Sequence, residues 1–184
     1  MPAPQSWQRG WLDAFSRYAL RHPGETATAS LFADFASSHP NAAERNLSIG
    51  HLTGSAWLVS ADGARVLLTH HRKLGRWLQL GGHADGDVDL ARVALREAGE
   101  ESGLHSLVVE PEIFDLDRHV IPARGDEPAH WHYDVRYIVR ALGGEDFIVG
   151  DESHALAWRD IAMLAADESA DASLRRMARK WLDR

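Results

Sequence analysis

Three glutamates at helical spacing are the residues of this chain best placed to do chemistry together. Glu97, Glu100 and Glu101 stand at i, i+3 and i+4, which on a helix places the carboxylates within an arc of roughly 100°. Such like charges repel one another by roughly a few tenths of a kcal/mol per pair, and Arg96, which can pair with Glu100, does not neutralise three acids. A hard divalent cation can neutralise them, because Mg²⁺ and Mn²⁺ prefer carboxylate oxygen and often keep phosphate as a further ligand.

The residues upstream favour a metal site over the alternative, a solvated helix face with surface salt bridges. Gly81 and Gly82 let the backbone approach the acidic helix closely, and a carbonyl there can bind the metal. Three basic residues just before the glycines are candidate phosphate contacts: Arg72, Lys73 and Arg76. Together these features predict a site for a metal-bound diphosphate.

A second polar group alternates along a predicted strand. His130, His132 and Asp134 share one face of that strand, and Asp117 and His119 lie on the strand before it. Three interpretations stay open. The side chains of His119, His132 or Asp134 recognise the base, sugar or phosphate of a substrate; His130, His132 and Asp134 bind a zinc-like ion; or the histidines are satisfied by backbone and solvent.

Hydrophobic period and turn residues predict the elements that position these groups. Helical spacing predicts two helices in about the first 45 residues, with an aromatic stripe from Trp7 to Tyr18 serving as core. Two β-rich runs, 52–60 and 65–71, flank the turn Asp62-Gly63, and a helix of about fourteen residues ends at Gly103. Further strands are predicted at 106–109, 112–121, 130–142 and 155–158, and helical faces at 161–164 and 174–181. The pattern indicates a mixed α/β fold with a sheet between helices.

Composition limits the classes of function. A net charge of −7 argues against general nucleic-acid binding, which needs concentrated Lys and Arg. The absence of cysteine excludes disulfides, thiolate metal sites and cysteine nucleophiles. No run approaches the ~18–20 apolar residues of a membrane span, and the N-terminus has no signal-like pattern, so we expect a cytoplasmic protein without a membrane partner. The sequence does not decide the oligomeric state, and a homodimer stays an open alternative.

Residues 82–104 resemble the Nudix box, G-x5-E-x7-R-E-U-x-E-E-x-G-U, in which U is aliphatic. Eight of the nine defined positions match: Gly82, Arg96, Glu97, Ala98, Glu100, Glu101, Gly103 and Leu104. The strand, loop and helix predicted around them are the setting that such a box requires. One position departs, because Val88 stands where the family usually has its first Glu. The resemblance to the wider domain covers about residues 50–165.

The resemblance implies a Nudix-type α/β/α sandwich, with a Nudix hydrolase domain at 46–184 and an N-terminal helical extension at 1–45. It implies a metal-dependent hydrolase, using Mg²⁺ or Mn²⁺, that cleaves a phosphoanhydride bond in a nucleoside diphosphate linked to another moiety. The partner it implies is therefore a small molecule.

The family pattern also implies roles for single residues. Glu97 and Glu100 are the implied catalytic acids, and Arg96 orients them. The implied metal ligands add Gly81, through its carbonyl, and Glu101. Families of this kind often recruit one more acid from a later loop, and Glu152 is the candidate here.

Two other functions are compared with hydrolysis. Val88 favours a non-catalytic Nudix-fold module that binds a nucleotide or metal and regulates a partner, whereas the three retained glutamates favour the enzyme. A diphosphate isomerase on the same fold normally needs a cysteine, and this chain has none. The substrate stays open. His119 stands where ADP-ribose enzymes of the family often have a proline, and Ile121 stands where dinucleoside polyphosphate enzymes often have a tyrosine.

Overall fold

The computed structural model describes residues 5–125, 128–151 and 153–184. Its strands are β1 (Gly50–Val59), β2 (Arg65–His71), β3 (Arg76–Leu78), β4 (Leu80–His83), β5 (Leu107–Ile121), β6 (His130–Ala141) and β7 (Ser153–Asp160). Its helices are α1 (Ser6–Arg21), α2 (Thr26–Ser38), α3 (Leu90–Ser102), α4 (Ile161–Ala166) and α5 (Ala172–Leu182), with a 3₁₀ turn at Pro23–Glu25. The predicted mixed α/β class is confirmed.

In the described part of the chain the strands form one seven-stranded sheet with the order β3-β2-β1-β6-β5; β4 also pairs with β1, and β7 with β2. The central pair, β1 and β6, is parallel, and the other pairs are antiparallel. Strand β1 therefore has β6 along one edge and both β2 and β4 along the other. This central position decides which side chains meet in the site.

Helices cover both faces of the sheet. Alternation along β1 places Leu58 in one core and its neighbours Trp57 and Val59 in the other. The first core contains α1, α2 and α3, and the second contains α4 and α5. The result is the three-layer arrangement expected for the fold.

The N-terminal aromatic stripe packs into the first core, as predicted. Phe15 packs edge-on against Phe32 of α2, and Phe35 stacks on Tyr133 of β6 with ring centroids 3.8 Å apart. The two N-terminal helices thus share a hydrophobic core with the sheet. The boundary between an extension at 1–45 and a domain at 46–184 stays a prediction.

Helix α3 has a defined start and end. The side chain of Asp89 caps its start by accepting a hydrogen bond from the Arg92 backbone N–H, and Gly103 ends it with a φ of 68°. None of the helices that the structure describes is long and apolar enough to cross a membrane.

Strand β5 differs from the prediction. The runs at 106–109 and 112–121 form one strand, and its register against β6 shifts between Val109 and Ile113. Pro111 lies inside this shift and has no N–H to donate to the ladder. A proline therefore interrupts the pairing without ending the strand.

Candidate active site

The three glutamates of α3 converge, as their spacing predicts. Glu97, Glu100 and Glu101 line a cavity of about 230 Å³ together with Gly150, Asp151 and Ser153. Glu97 and Glu101 are half-buried against the sheet, whereas Glu100 is exposed. The Gly81 backbone N–H donates a 2.8 Å hydrogen bond to Glu101 Oε1, which ties the helix to β4.

Glycine at position 82 leaves room for the Glu97 carboxylate where β4 passes under α3. A Cβ on Gly82 would lie 2.5 Å from Glu97 Oε2, so any side chain there would displace the carboxylate. On β1, a Cβ on Gly54 would lie 2.8 Å from Val93 Cγ1 of the helix. These close approaches hold the acidic face of α3 against the strand, as expected from the double glycine.

Arg96 does not make the expected pair with Glu100. Its Nη2 lies 2.9 Å from Glu97 Oε1 and donates a 3.1 Å hydrogen bond to the His83 carbonyl. The carbonyl at the end of β4 draws the guanidinium toward the sheet, where Glu97 lies and the exposed Glu100 does not. Arg96 therefore fixes the position of the Glu97 carboxylate.

The position of the missing box glutamate is occupied by an exposed side chain. Val88 is 38% exposed, and its carbonyl accepts a 2.8 Å hydrogen bond from Trp11 Nε1 of α1. The neighbouring acids have other partners: Asp89 caps α3, and Asp87 accepts hydrogen bonds from the Asp89 N–H and from Arg92. Neither acid replaces the absent carboxylate.

A second cavity, of about 430 Å³, adjoins the acidic one and shares Glu97 with it. Four of the predicted substrate residues line this cavity, together with Gly81 and Gly82: Lys73, His119, His132 and Asp134. The other two predicted phosphate contacts line neither cavity. Arg72 donates to the Ser153 carbonyl at 3.3 Å, and Arg76 lies 3.4 Å from Asp171 at the start of α5.

Asp134 is buried and has several protein partners. Its Oδ1 accepts hydrogen bonds from Thr53 at 2.9 Å and Ser55 at 2.7 Å, and its Oδ2 accepts them from Gln79 at 3.1 Å and Arg136 at 2.7 Å. The carboxylate thus joins β1, β6 and the β3–β4 connection. Asp134 lies in the same strand as His130 and His132, but the group of converging histidine ligand atoms among the described residues does not include it. Binding of a zinc-like ion by His130, His132 and Asp134 stays a prediction.

The partners of His132 come from other strands. In the parallel pairing His51 lies beside His132, and in the antiparallel pairing Thr53 lies opposite His83. One ligand atom each from His51, His83 and His132 lies within 4.8 Å of the others. No sequence motif links these histidines; only the strand register, had it been known, would have indicated their meeting.

Burial keeps two of these imidazoles neutral. Desolvation, followed by the charge of the neighbouring His83 and His130, lowers the pKa of His51 to about 4. Desolvation, followed by the neighbouring His51 and His83, lowers the pKa of His132 to about 2. At neutral pH both rings are therefore uncharged and carry a lone pair.

The acidic cavity fits a hard divalent cation. Among the described residues its charged side chains are carboxylates only, and the backbone at Gly81 and Gly82 lies against Glu101 and Glu97. Glu152, the predicted additional ligand, lies outside the described residues; Asp151, next to it in the chain, lines the cavity.

A larger cavity, of about 780 Å³, lies between α1, β5 and α5. Charged side chains there pair with one another, as in Arg21 with Glu112 at 2.7 Å and Arg184 with Glu110 at 2.8 Å. None of the box acids lines it. We assign the chemistry to the two smaller cavities because carboxylates and histidines converge there.

Comparison with solved structures supports the same fold. The Ap4A hydrolase of C. elegans aligns at 16% identity over 72% of this chain and 95% of its own, with a TM-score of 0.56. The MutT protein of Methanosarcina mazei Go1 aligns at 17% over 74% and 96%, with a TM-score of 0.56. The MutT NUDIX hydrolase of Burkholderia pseudomallei aligns at 23% over 71% and 97%, with a TM-score of 0.54.

No curated protein matches this chain. The model of the NUDIX domain matches residues 51–181, well over half of the chain and the whole of the acidic helix. The match includes the strands and helices that build both cavities. The chain therefore belongs to the Nudix family of hydrolases, which act on phosphoanhydride bonds.

Proposed function

We propose that this protein cleaves a phosphoanhydride bond in a nucleoside diphosphate linked to another moiety, in a reaction that depends on Mg²⁺ or Mn²⁺. The observation that carries the proposal is the convergence of Glu97, Glu100 and Glu101 on one cavity. That cavity adjoins a second one, large enough for part of a nucleotide and lined by basic, imidazole and acidic side chains. Family membership supports the reaction class, and these cavities support the substrate class.

We assign the metal ligands to Glu97, Glu100, Glu101 and the Gly81 carbonyl, with Glu152 as a further proposed ligand. When bound, the cation lowers the pKa of water and neutralises phosphate oxygens. Arg96 holds the Glu97 carboxylate through the 2.9 Å ion pair. Glu97 or Glu100 then accepts the proton of the attacking water.

The substrate contacts that we propose lie across the second cavity, of about 430 Å³. Lys73 is exposed at its rim and contacts a phosphate group, and His119 offers a hydrogen bond to base or sugar. Asp134 shapes the polar wall through its four bonds rather than by direct contact. Arg72 and Arg76 stay proposed phosphate contacts, which would require them to leave Ser153 and Asp171.

A panel of diphosphate-linked nucleosides, assayed with Mg²⁺ and with Mn²⁺ and read by mass of the products, tests the proposal. Glu100→Gln and Glu101→Gln should each lower turnover by orders of magnitude, because a neutral amide holds the cation poorly. Glu168→Gln, at an exposed site away from both cavities, is the matched control and should keep full activity. Circular dichroism checks that each variant folds.

Undiminished turnover in either box variant, or in excess chelator, would overturn the assignment. A second candidate function, a regulatory module that binds nucleotide without turnover, is favoured by Val88 alone. It would gain if the wild-type protein bound members of the panel and hydrolysed none.

A further inference from the structure

We propose that His51, His83 and His132 form a second metal site, for a zinc-type divalent ion, separate from the carboxylate site of α3. The sheet brings the three side chains together from three strands: β1, β4 and β6. Their ring centroids lie 4.7 to 5.1 Å apart, and their ligand atoms within 4.8 Å of one another.

The spacing suits an ion of this kind. A tetrahedral Zn²⁺ ion holds imidazole nitrogens at about 2.0–2.1 Å, which places those nitrogens about 3.4 Å from each other. Small rotations of the rings close the difference from the observed spacing. Two of the ligands, His83 and His132, also line the second cavity, of about 430 Å³, so an ion held there can take a fourth ligand from it.

Buried ring nitrogens of His51 and His132 have no hydrogen-bond partner among the described residues. His51 is only 1% exposed, and within the described part of the chain its Nδ1 and Nε2 have no hydrogen-bond partner, nor does Nε2 of His132. A buried polar atom without a partner destabilises a fold, and a bound metal ion would provide a partner for one nitrogen of each ring. A lone pair on an imidazole nitrogen is what such an ion binds.

The ligand type selects the metal. Three imidazoles favour Zn²⁺, Co²⁺ or Ni²⁺ over Mg²⁺, whereas the all-oxygen set of α3 favours Mg²⁺ or Mn²⁺. The two sites should therefore be filled by different ions. This inference does not depend on the proposed reaction.

Zinc content tests the site directly. Tag-free protein is incubated with Zn²⁺, desalted and measured by mass spectrometry of the metal; one equivalent should remain in the wild type. His83→Ala and His132→Ala should lose it, while His105→Ala, at an exposed site outside the cluster, should keep it. The triple variant Glu97→Gln, Glu100→Gln, Glu101→Gln should also keep it, which separates this site from the catalytic one.

Cobalt gives a second readout that does not depend on a variant folding. Co²⁺ bound to the wild type should show the visible d–d absorption of a four-coordinate site, without a thiolate band because the chain has no cysteine. Failure of the wild type to retain zinc would overturn the proposal. Zinc retained equally in the folded histidine variants, or lost only in the glutamate variant, would do the same.

Discussion

The residue that departs from the family pattern has a defined structural setting. Val88 is partly exposed at the start of α3, and Asp87 and Asp89 are both engaged in ordering that start. No acid that the structure describes next to it takes over the missing position. The three remaining glutamates still line one cavity, so we interpret the change as adjusting the site rather than disabling it.

Substitution of Val88→Glu tests this interpretation. The side chain is exposed, so the fold should tolerate the change, and the added carboxylate should alter turnover or the preference between Mg²⁺ and Mn²⁺ by several-fold. The measurement is turnover against metal concentration, with Val88→Gln as a neutral control of similar size. Activity that arises only in Val88→Glu would instead support the regulatory module.

At the level of elements, α1 is joined to the start of the acidic helix by one hydrogen bond. The indole of Trp11 is buried and donates to the Val88 carbonyl, whereas the neighbouring Trp7 donates to the Gln5 side chain at an exposed site. The loop that contains Val88 is therefore held in part by a helix that lies outside residues 51–181, the range that matches the NUDIX domain. We infer that α1 contributes to the order of the site.

Trp11→Phe should destabilise the protein by about 1 kcal/mol, because it keeps most of the ring packing but leaves the Val88 carbonyl without its donor. Urea unfolding gives the free energy of unfolding. Trp7→Phe is the matched control and should cost less, since its lost partner is exposed to water. An equal loss of unfolding free energy in the two variants would show that the hydrogen bond from Trp11 to the Val88 carbonyl does not contribute to stability.

For the whole molecule, a buried cluster of charges joins the sheet to the C-terminal helix. Arg136 is 2% exposed and contacts Asp134 at 2.7 Å, Asp115 at 3.2 Å and Asp117 at 3.3 Å. From α5, Arg176 lies 2.7 Å from Asp115. Because Arg136, Asp115 and Asp134 are almost completely buried, removal of Arg136 leaves uncompensated buried charge.

Arg136→Met should therefore lower the free energy of unfolding at pH 7 by about 3–5 kcal/mol. Arg17→Met, which removes an exposed contact with Glu112, should cost under about 1 kcal/mol. Urea unfolding of both variants beside the wild type makes the comparison. A cost for Arg136→Met no larger than that of the surface control would contradict a structural role for the cluster.

The same cluster predicts how stability depends on pH. Burial alone would raise the pKa of Asp115, but the hydrogen bond from Arg176 and the charges of Arg136 and Lys180 lower it overall. The pKa of Asp117 is lowered in the same way against its burial, by His119, Arg136 and Arg176. Groups with a depressed pKa stabilise the fold above their unfolded value of about 3.9, and that contribution is lost as pH falls below it. The loss of unfolding free energy in Arg136→Met should thus begin to shrink as pH falls below about 5, and should go on shrinking below pH 3, because the depressed pKa values of Asp115 and Asp117 delay their protonation in the wild type.

The sequence by itself determined whatever depends on neighbours along the chain. Helical spacing was enough to predict that Glu97, Glu100 and Glu101 face one way, and alternation was enough to place His130, His132 and Asp134 on one face, because both periods are local properties of the backbone. The glycines at 81 and 82 indicated a close approach for the same reason.

Only the tertiary structure decided which of these groups meet. Strand pairing sets His132 beside His51 and near His83, whereas Asp134 accepts hydrogen bonds from other groups. Arg96 pairs with Glu97 rather than Glu100 because a carbonyl from β4 lies within its reach. The register between strands that are distant in sequence depends on which strands pair and on which of their faces are buried together. No single strand shows this by itself, so the histidine site is found only once the strands are paired.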